Sequence, residues 1–578
     1  MRIPKLSSRN KLLALALLVG CLSGGAAVLL HFLISLIKTA ANGVFSFLPG
    51  HWQWLVLPGV GMLISLLIVK YIIKDNISHG VTKVLQAISN KQCFIKVHNV
   101  WSSVVTSAVT IGLGGSVGAE APIVYTGAAI GSNLGRRFGM SYRQMTILLG
   151  CGAAGALAGI FKAPLAGVLF TMEILLFNIS MSSLVPLLLS TVAATVVAYV
   201  FTGSGAEFAA TIIPFRLSNF PFYCVLGGFC GLFSVFFVRC TLWLEDRAAK
   251  VRNAYKKWVV CAVTLGLLIF LFPPLYGEGY DWVRMLLNGG NPDFSDVTLL
   301  SFLTRSSWGI VVFFALVMFL KVFSMTFTNA GGGVGGTFGP TLFVGAIAGF
   351  VVARVLNLSG IDVPESNFVL AGMAAMMAGV MQAPLTAIFL IAEVTGGYDL
   401  FLPLILTAAV SFGTTRIFEK YSIYTKRIAQ TGELLTHDSD QAVLTLMNLS
   451  DLVSDKYPRI SPDAKLSDVV RVLKSSSAQV YAVVDADGLF CGQVTLDNIH
   501  KLAFRTDKYN SLSVRDFMDE PPTFIYADDK MEAVMDKFDK TGAWRLPVVT
   551  ENRKYLGYAS RSRILTAYRE MLRDFSQD

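Results

Sequence analysis

The chain has 578 residues, 54% of them hydrophobic and only 15% charged, with a net charge of +10 and a mean hydropathy of +0.59. Soluble domains carry about 25% charged residues, so a wholly soluble globular protein is excluded. Nucleic acid is not the expected partner of the positive charge: Lys and Arg sit in short segments beside apolar runs, such as MRIPKLSSRNK, Arg136 with Arg137, and RAAKVRNAYKK, and no basic stripe with interleaved aromatics occurs.

The first apolar run extends from Leu12 to Ile37, longer than the ~7–15 residues of a signal-peptide core. It reads as a first span with its basic flank in the cytoplasm. Further apolar segments follow near 53–73, 145–160, 164–178, 181–202, 222–244, 257–274, 307–328, 366–380, 384–396 and 400–416. Several fall short of the ~20 residues of a bilayer crossing, and Gly-rich breaks occur at 113–118 and 330–339. Short, broken helices at membrane depth are tolerated where they are buried in protein or line a cavity, which points to a transport pathway. Residues 1–430 form the expected membrane domain, 431–450 a linker, and 451–510 and 511–578 two soluble units.

The membrane part repeats itself. A shift of 218 residues places Gly114, Gly118, Pro122, Gly127 and Gly131 on Gly332, Gly336, Pro340, Gly345 and Gly349. A shift of 220 places Gly152, Ala163, Pro164 and Glu173 on Gly372, Ala383, Pro384 and Glu393. Two halves with matching breaks indicate a binding site near the midplane. The tail repeats at an offset of 65, with VYAVVD (480–485) matching RLPVVT (545–550) and GQVT (492–495) matching GYAS (557–560). β-α-β units this small bury little alone, so the two are expected to pack together.

An enzyme is not expected. The histidines contain no HExxH, no Ser-His arrangement presents itself in the spans, and acid–base chemistry wants two placed groups. The eight cysteines show no metal spacing and read as small core residues. No metal is expected.

Three acids lie within apolar runs: Glu120, Glu173 and Glu393. Each costs roughly 2.5–3.5 kcal/mol at a bilayer centre. Glu173 and Glu393 are repeat-related and read as structural acids bonded to backbone or to a partner helix. Glu120 has no counterpart, since Phe338 takes its place in the second copy. Pro122 and Pro340 suit the first turn of a helix, so the glycine segments before them present free N–H groups at the positive end of a helix dipole. Such a terminus attracts anions. Glu120 reads as a tethered competitor that vacates an anion site when protonated, which makes it a gate.

These segments resemble the CLC family of chloride channels and proton-coupled chloride exchangers. GAEAP (118–122) is similar to the family's gating-glutamate segment, GTFGP (336–340) to its central chloride segment, and YSIYTKRI (421–428) to its last membrane helix. The tail resembles a pair of cystathionine β-synthase (CBS) domains. The resemblance implies a polytopic α-helical membrane domain of two inverted repeats of tilted, broken helices, followed by a cytoplasmic α/β CBS pair. It implies a multi-pass homodimer in the cell membrane, with cytoplasmic termini and a pore in each subunit. Glu120 would be the gate, with Gly118, Thr337, Phe338, Tyr424 and His79 around the anion and Ser78 as the alternative to His79.

Departures from the family pattern sharpen the reading. SHGVT (78–82) stands where the family has G-S-G-I-P, Ala119 replaces a basic residue beside the gate, and Ile174 occupies the position of the internal proton-transfer glutamate. The expected function is proton-coupled chloride antiport, with a passive voltage- or pH-gated chloride channel as the alternative because isoleucine carries no proton. His79 opens the anion choice to fluoride, nitrate or another halide. In the CBS pair Thr495 and Asp497 are candidates for adenine-nucleotide binding, the alternative being a structural or dimerising pair without a cofactor.

Overall fold

The computed structural model describes residues 8–44, 52–89, 93–175, 181–205, 207–208, 212–289, 300–301, 303–431, 447–476, 478–502 and 508–576. Most of the expected linker, 431–450, lies outside the described residues. Two compact units emerge, Met1–Leu434 and Leu435–Asp578.

The first unit is all helix. Its first half holds α1 (Ser8–Val44), α2 (Gln53–Leu67, with a π-helical continuation to Ile73), α3 (Gly80–Ser89), α4 (Ser102–Gly112), α5 (Glu120–Arg137), α6 (Tyr142–Phe161), α7 (Pro164–Glu173) and α8 (Met181–Thr202). Then come α9 (Phe220–Ala249), α10 (Ala254–Leu271), α11 (Tyr280–Leu287), α12 (Ser307–Ala330), α13 (Phe338–Leu358), α14 (Glu365–Met381), α15 (Pro384–Val394), α16 (Phe401–Phe418) and α17 (Ile423–Thr431). Among the described residues nine helices are long and apolar enough to cross a membrane. The Ser/Thr-rich α4 and the Gly-rich α5 are buried along most of their length, so neither needs a lipid-facing apolar stripe.

The sequence repeat is a packing repeat. A Cβ on Gly131 of α5 would lie 2.0 Å from the Leu148 carbonyl of α6, and one on Gly349 of α13 would lie 2.0 Å from the Phe368 carbonyl of α14. Helix α6 ends at Lys162 (φ 57°) and α14 at Gln382 (φ 53°), both left-handed caps followed by Ala-Pro. The two acids shared by the repeats close each other's helices. Glu393 accepts the N–H groups of Leu165 (3.0 Å) and Ala166 (2.9 Å) at the start of α7, while Glu173 accepts those of Leu385 (2.9 Å) and Thr386 (2.7 Å) at the start of α15. Each carboxylate thereby satisfies two of the orphan donors of a helix start.

In the second unit β1 (Arg459–Ile460), β2 (Val480–Val484) and β3 (Phe490–Thr495) form one sheet, and β4 (Ile525–Tyr526), β5 (Arg545–Val549) and β6 (Tyr555–Ser560) another. In both, the first pair is parallel and the second antiparallel, and the register shifts at Val483/Val484 and Val548/Val549. The two sheets meet about a local two-fold axis: Leu489 bridges Lys554, the Phe490 and Tyr555 rings stack at 5.7 Å, and Tyr558 donates to Gln493 at 3.2 Å, all pairs separated by the repeat offset.

Replacing Gly131 or Gly349 by valine is expected to abolish the monodisperse peak in size-exclusion chromatography, because the new side chain meets backbone carbonyls that cannot yield. Gly25→Ala in α1, where a Cβ meets nothing within 4 Å, is expected to raise helix stability by about 0.5–1 kcal/mol and leave the peak intact.

Candidate functional site

Gly118 and Gly336 face each other across the repeat and exchange two backbone hydrogen bonds, Gly118 N–H to the Gly336 carbonyl (3.0 Å) and Gly336 N–H to the Gly118 carbonyl (2.7 Å). This antiparallel bridge sets the starts of α5 and α13 side by side. Glu120, the first residue of α5, is 2% exposed. Its carboxylate reaches across to the other helix: Oε2 accepts the Gly339 N–H at 3.2 Å, and Oε1 accepts the Tyr280 hydroxyl at 2.5 Å. The positive end of α13 and one phenol thus hold the charge.

Thr337 is the N-cap of α13, and its hydroxyl donates to the Tyr424 hydroxyl at 3.3 Å. The Phe338 ring packs against Phe161 (5.6 Å) and Phe170 (6.3 Å), fixing the first turn. Among the described residues the N–H groups of Thr337 and Phe338 have no partner. Glu120, Thr337, Phe338 and Tyr424 are therefore gathered in one place.

Gly118, His79 and Ser78 are the other three expected contacts. The Gly118 N–H is committed to Gly336, so Gly118 enters the site as a bare Cα: a Cβ there would lie 2.1 Å from Glu120 Oε2. His79 adopts a left-handed conformation (φ 57°) ahead of α3, and its Nε2 stands 3.9 Å from Glu245 Oε1, a carboxylate also paired with Arg427 of α17. Burial, then Arg427 and Lys83, lower the His79 pKa, so its imidazole is neutral at physiological pH. Ser78 donates both its N–H (3.0 Å) and its hydroxyl (2.6 Å) to Asn76 Oδ1 in a local turn. Neither His79 nor Ser78 is bonded to Thr337 or Tyr424 among the described residues. In the second unit, Thr495 bonds Asn498 through both its N–H and its hydroxyl, and Asp497 is exposed.

The segment before α11 supplies residues that the sequence reading did not include. Gly277 (φ 62°) and Gly279 (φ 89°) flank Glu278, conformations that favour glycine. Glu278 Oε1 accepts the Ala119 N–H at 3.0 Å. Lys321 of α12, with no exposed surface, donates to the Gly277 carbonyl at 2.8 Å and lies 4.8 Å from the Phe343 ring centroid. The signal was present in GEGY (277–280), an acid flanked by small residues like that of GAEAP, but outside the apolar runs. A cavity of about 760 Å³ leads to this place, lined by Glu120, Glu278, Tyr280, Glu207 and Arg284 among others; Arg284 is paired with Glu207.

The profile described as voltage gated chloride channel matches residues 60–416, well over half of the chain. The chain belongs to the voltage-gated chloride channel family. The CBS domain profile matches residues 449–504 and 514–570. Among relatives of this family member, a protein named putative chloride channel protein ClcB-like, from Ralstonia nicotianae, is 29% identical over 66% of this chain and 86% of its own. The H(+)/Cl(-) exchange transporter ClcA of Vibrio cholerae is 29% identical over 56% of this chain and 67% of its own. In fold, the chain is similar to a slow cyanobacterial Cl-/H+ antiporter (TM-score 0.63, 24% identity, 73% of this chain and 98% of that one). It is also similar to a eukaryotic CLC transporter (TM-score 0.63, 17% identity, 96% of this chain and 98% of that one).

In this family member Lys321 holds the Gly277–Tyr280 segment in place. Lys321→Met keeps the apolar stem and removes the donor, leaving a buried carbonyl unpartnered at about 1–3 kcal/mol. Thermal unfolding in detergent is expected to move to lower temperature accordingly.

Proposed function

We propose that this chain moves chloride, or a similar small anion, through a pore in each subunit of a homodimer, in exchange for protons, with Glu120 as the gate. One observation carries the reading: the Glu120 carboxylate occupies the Gly339 N–H at the start of α13, a position where a free anion would be favoured by the same donor and the same dipole. A charged carboxylate there competes with the anion. Protonation cancels its charge, weakens it as an acceptor and lets it withdraw, which ties anion passage to a proton. The Thr337 and Phe338 amides and the Tyr424 hydroxyl are the proposed next contacts for the anion.

The relatives named as H+/Cl− exchange transporters support exchange. A passive channel is the second reading, favoured by Ile174: it is 2% exposed, follows Glu173, and offers no titratable group. Orientation with cytoplasmic termini is supported by Lys11 at the start of α1, which donates to the Phe138 carbonyl at 2.7 Å and so joins Arg136 and Arg137 on one face.

Reconstituted into liposomes under an outward chloride gradient, the protein is expected to release chloride while protons move in the opposite direction. In Glu120→Ala, chloride release is expected to persist and coupled proton movement to vanish. Chloride release without proton movement by the unsubstituted protein would establish the passive reading instead, and loss of chloride release in a folded Glu120→Ala protein would refute the gate.

Tyr280→Phe removes a hydrogen bond to a charged group, worth about 1.5–3 kcal/mol. Release of the carboxylate becomes easier, and chloride turnover at neutral pH is expected to rise by roughly tenfold, the equivalent of about 1.4 kcal/mol.

A further inference from the structure

The starts of α5 and α13 are closed in the same manner. Glu120 sits on the Gly339 N–H of α13, and Glu278 sits on the Ala119 N–H just ahead of α5. Both carboxylates line the same cavity. We propose that Glu278 is a second gating acid, a tethered competitor for the anion at the Ala119 amide that must release this donor before an anion can pass. The proposal rests on the transport reading and extends it to a residue outside the repeated segments.

The surroundings define what Glu278 responds to. From α5 it faces the Ala119 N–H and the Glu120 charge; from α12, Lys321; from the 207–208 segment, Glu207. Tyr280, Asp281 and Arg284 belong to its own loop and α11, and His31 and Lys38 of α1 complete the lining. Burial first, and Glu120 second, push the Glu278 carboxyl up to about 8. Its proton therefore exchanges near neutral pH. The protonated form is the poorer acceptor, so the Ala119 N–H is released as the pH on the cavity side falls.

The loop cannot follow the anion. Lys321 anchors the Gly277 carbonyl at 2.8 Å, Gly277 N–H bonds the Gly114 carbonyl at 3.2 Å, and a Cβ on Gly279 would stand 2.5 Å from the Phe343 ring. Release is consequently a side-chain rotation of Glu278 into the cavity. Ala119 itself offers no positive charge to the passing ion, whereas buried Lys321 acts on Glu278.

The test uses the full chain in planar bilayers, with the pH of each side set separately and chloride current as the readout. In Glu120→Ala, chloride current is expected to persist and to rise severalfold as the cavity side is acidified. The midpoint should lie at lower pH than in the unsubstituted protein, because the Glu120 charge, one of the causes raising the Glu278 carboxyl beside burial and Glu207, is gone. In Glu120→Ala with Glu278→Gln, the current is expected to be independent of pH. Glu278→Asp in the same background, one methylene shorter and withdrawn from Ala119, should give a large current with little pH dependence, and serves if the glutamine variant does not fold. A flat response in Glu120→Ala, or an undiminished response once Glu278 is replaced, would overturn the proposal while leaving Glu120 as the gate. Absence of chloride current in folded Glu120→Ala would overturn the transport reading and this inference together.

Discussion

Two hydrogen bonds between Gly118 and Gly336 decide what the rest of the membrane unit can do. They pull together two chain breaks that lie 218 residues apart and aim two helix starts at one small volume. Without them, the Glu120 side chain on α5 would not reach the Gly339 N–H on α13. The approach is close enough to dictate composition. A Cβ would stand 2.8 Å from Ala121 Cβ at Gly336 and 3.0 Å from the Tyr280 hydroxyl at Gly339. The glycines are there because two backbones and a carboxylate share the space.

A near-symmetric scaffold becomes useful through what is not repeated. Both halves provide a glycine-preceded helix start, but only the first carries an acid, and the second carries Phe338, whose ring locks against Phe161 and Phe170. The loop ahead of α11 then contributes Tyr280 and Glu278, and α12 contributes Lys321. Three separate elements therefore bring charge to one place, where Glu120 and Glu278 each accept a backbone N–H and Lys321 donates to a carbonyl.

Much of this was legible from residue spacing. The offset of 218 located the two breaks, because close backbone approach demands glycine and leaves it in register, and the offset of 220 paired Glu173 with Glu393. The unpaired Glu120 stood out for the same reason. Glu278 and Tyr280 escaped because a search for acids in apolar runs does not look at loops, and a loop that folds back onto a helix start need not be apolar. Ser78 and His79 were named as anion contacts by resemblance alone; in the structure Ser78 bonds Asn76 in a local turn and His79 stands 3.9 Å from Glu245. Such bonds depend on residues remote in sequence or on side-chain choices that spacing does not encode. The tail was more transparent: an offset of 65 in the sequence reappears in strand order, in the register shift and in the contacts across its local axis.

The exchanged caps of α7 and α15 carry a consequence for how the protein is made. The donors of Leu165 are satisfied by Glu393, a residue 228 positions later. At a synthesis rate of about 5–20 residues per second, that residue emerges roughly 10–45 s after its partner. During that interval the start of α7 lacks this acceptor, and an unmet N–H in a bilayer core costs several kcal/mol. The early half must therefore wait in a provisional state, shielded by water, lipid headgroups or the insertion machinery. Completion of the second half closes both helices at once and makes the two repeats a single folding unit.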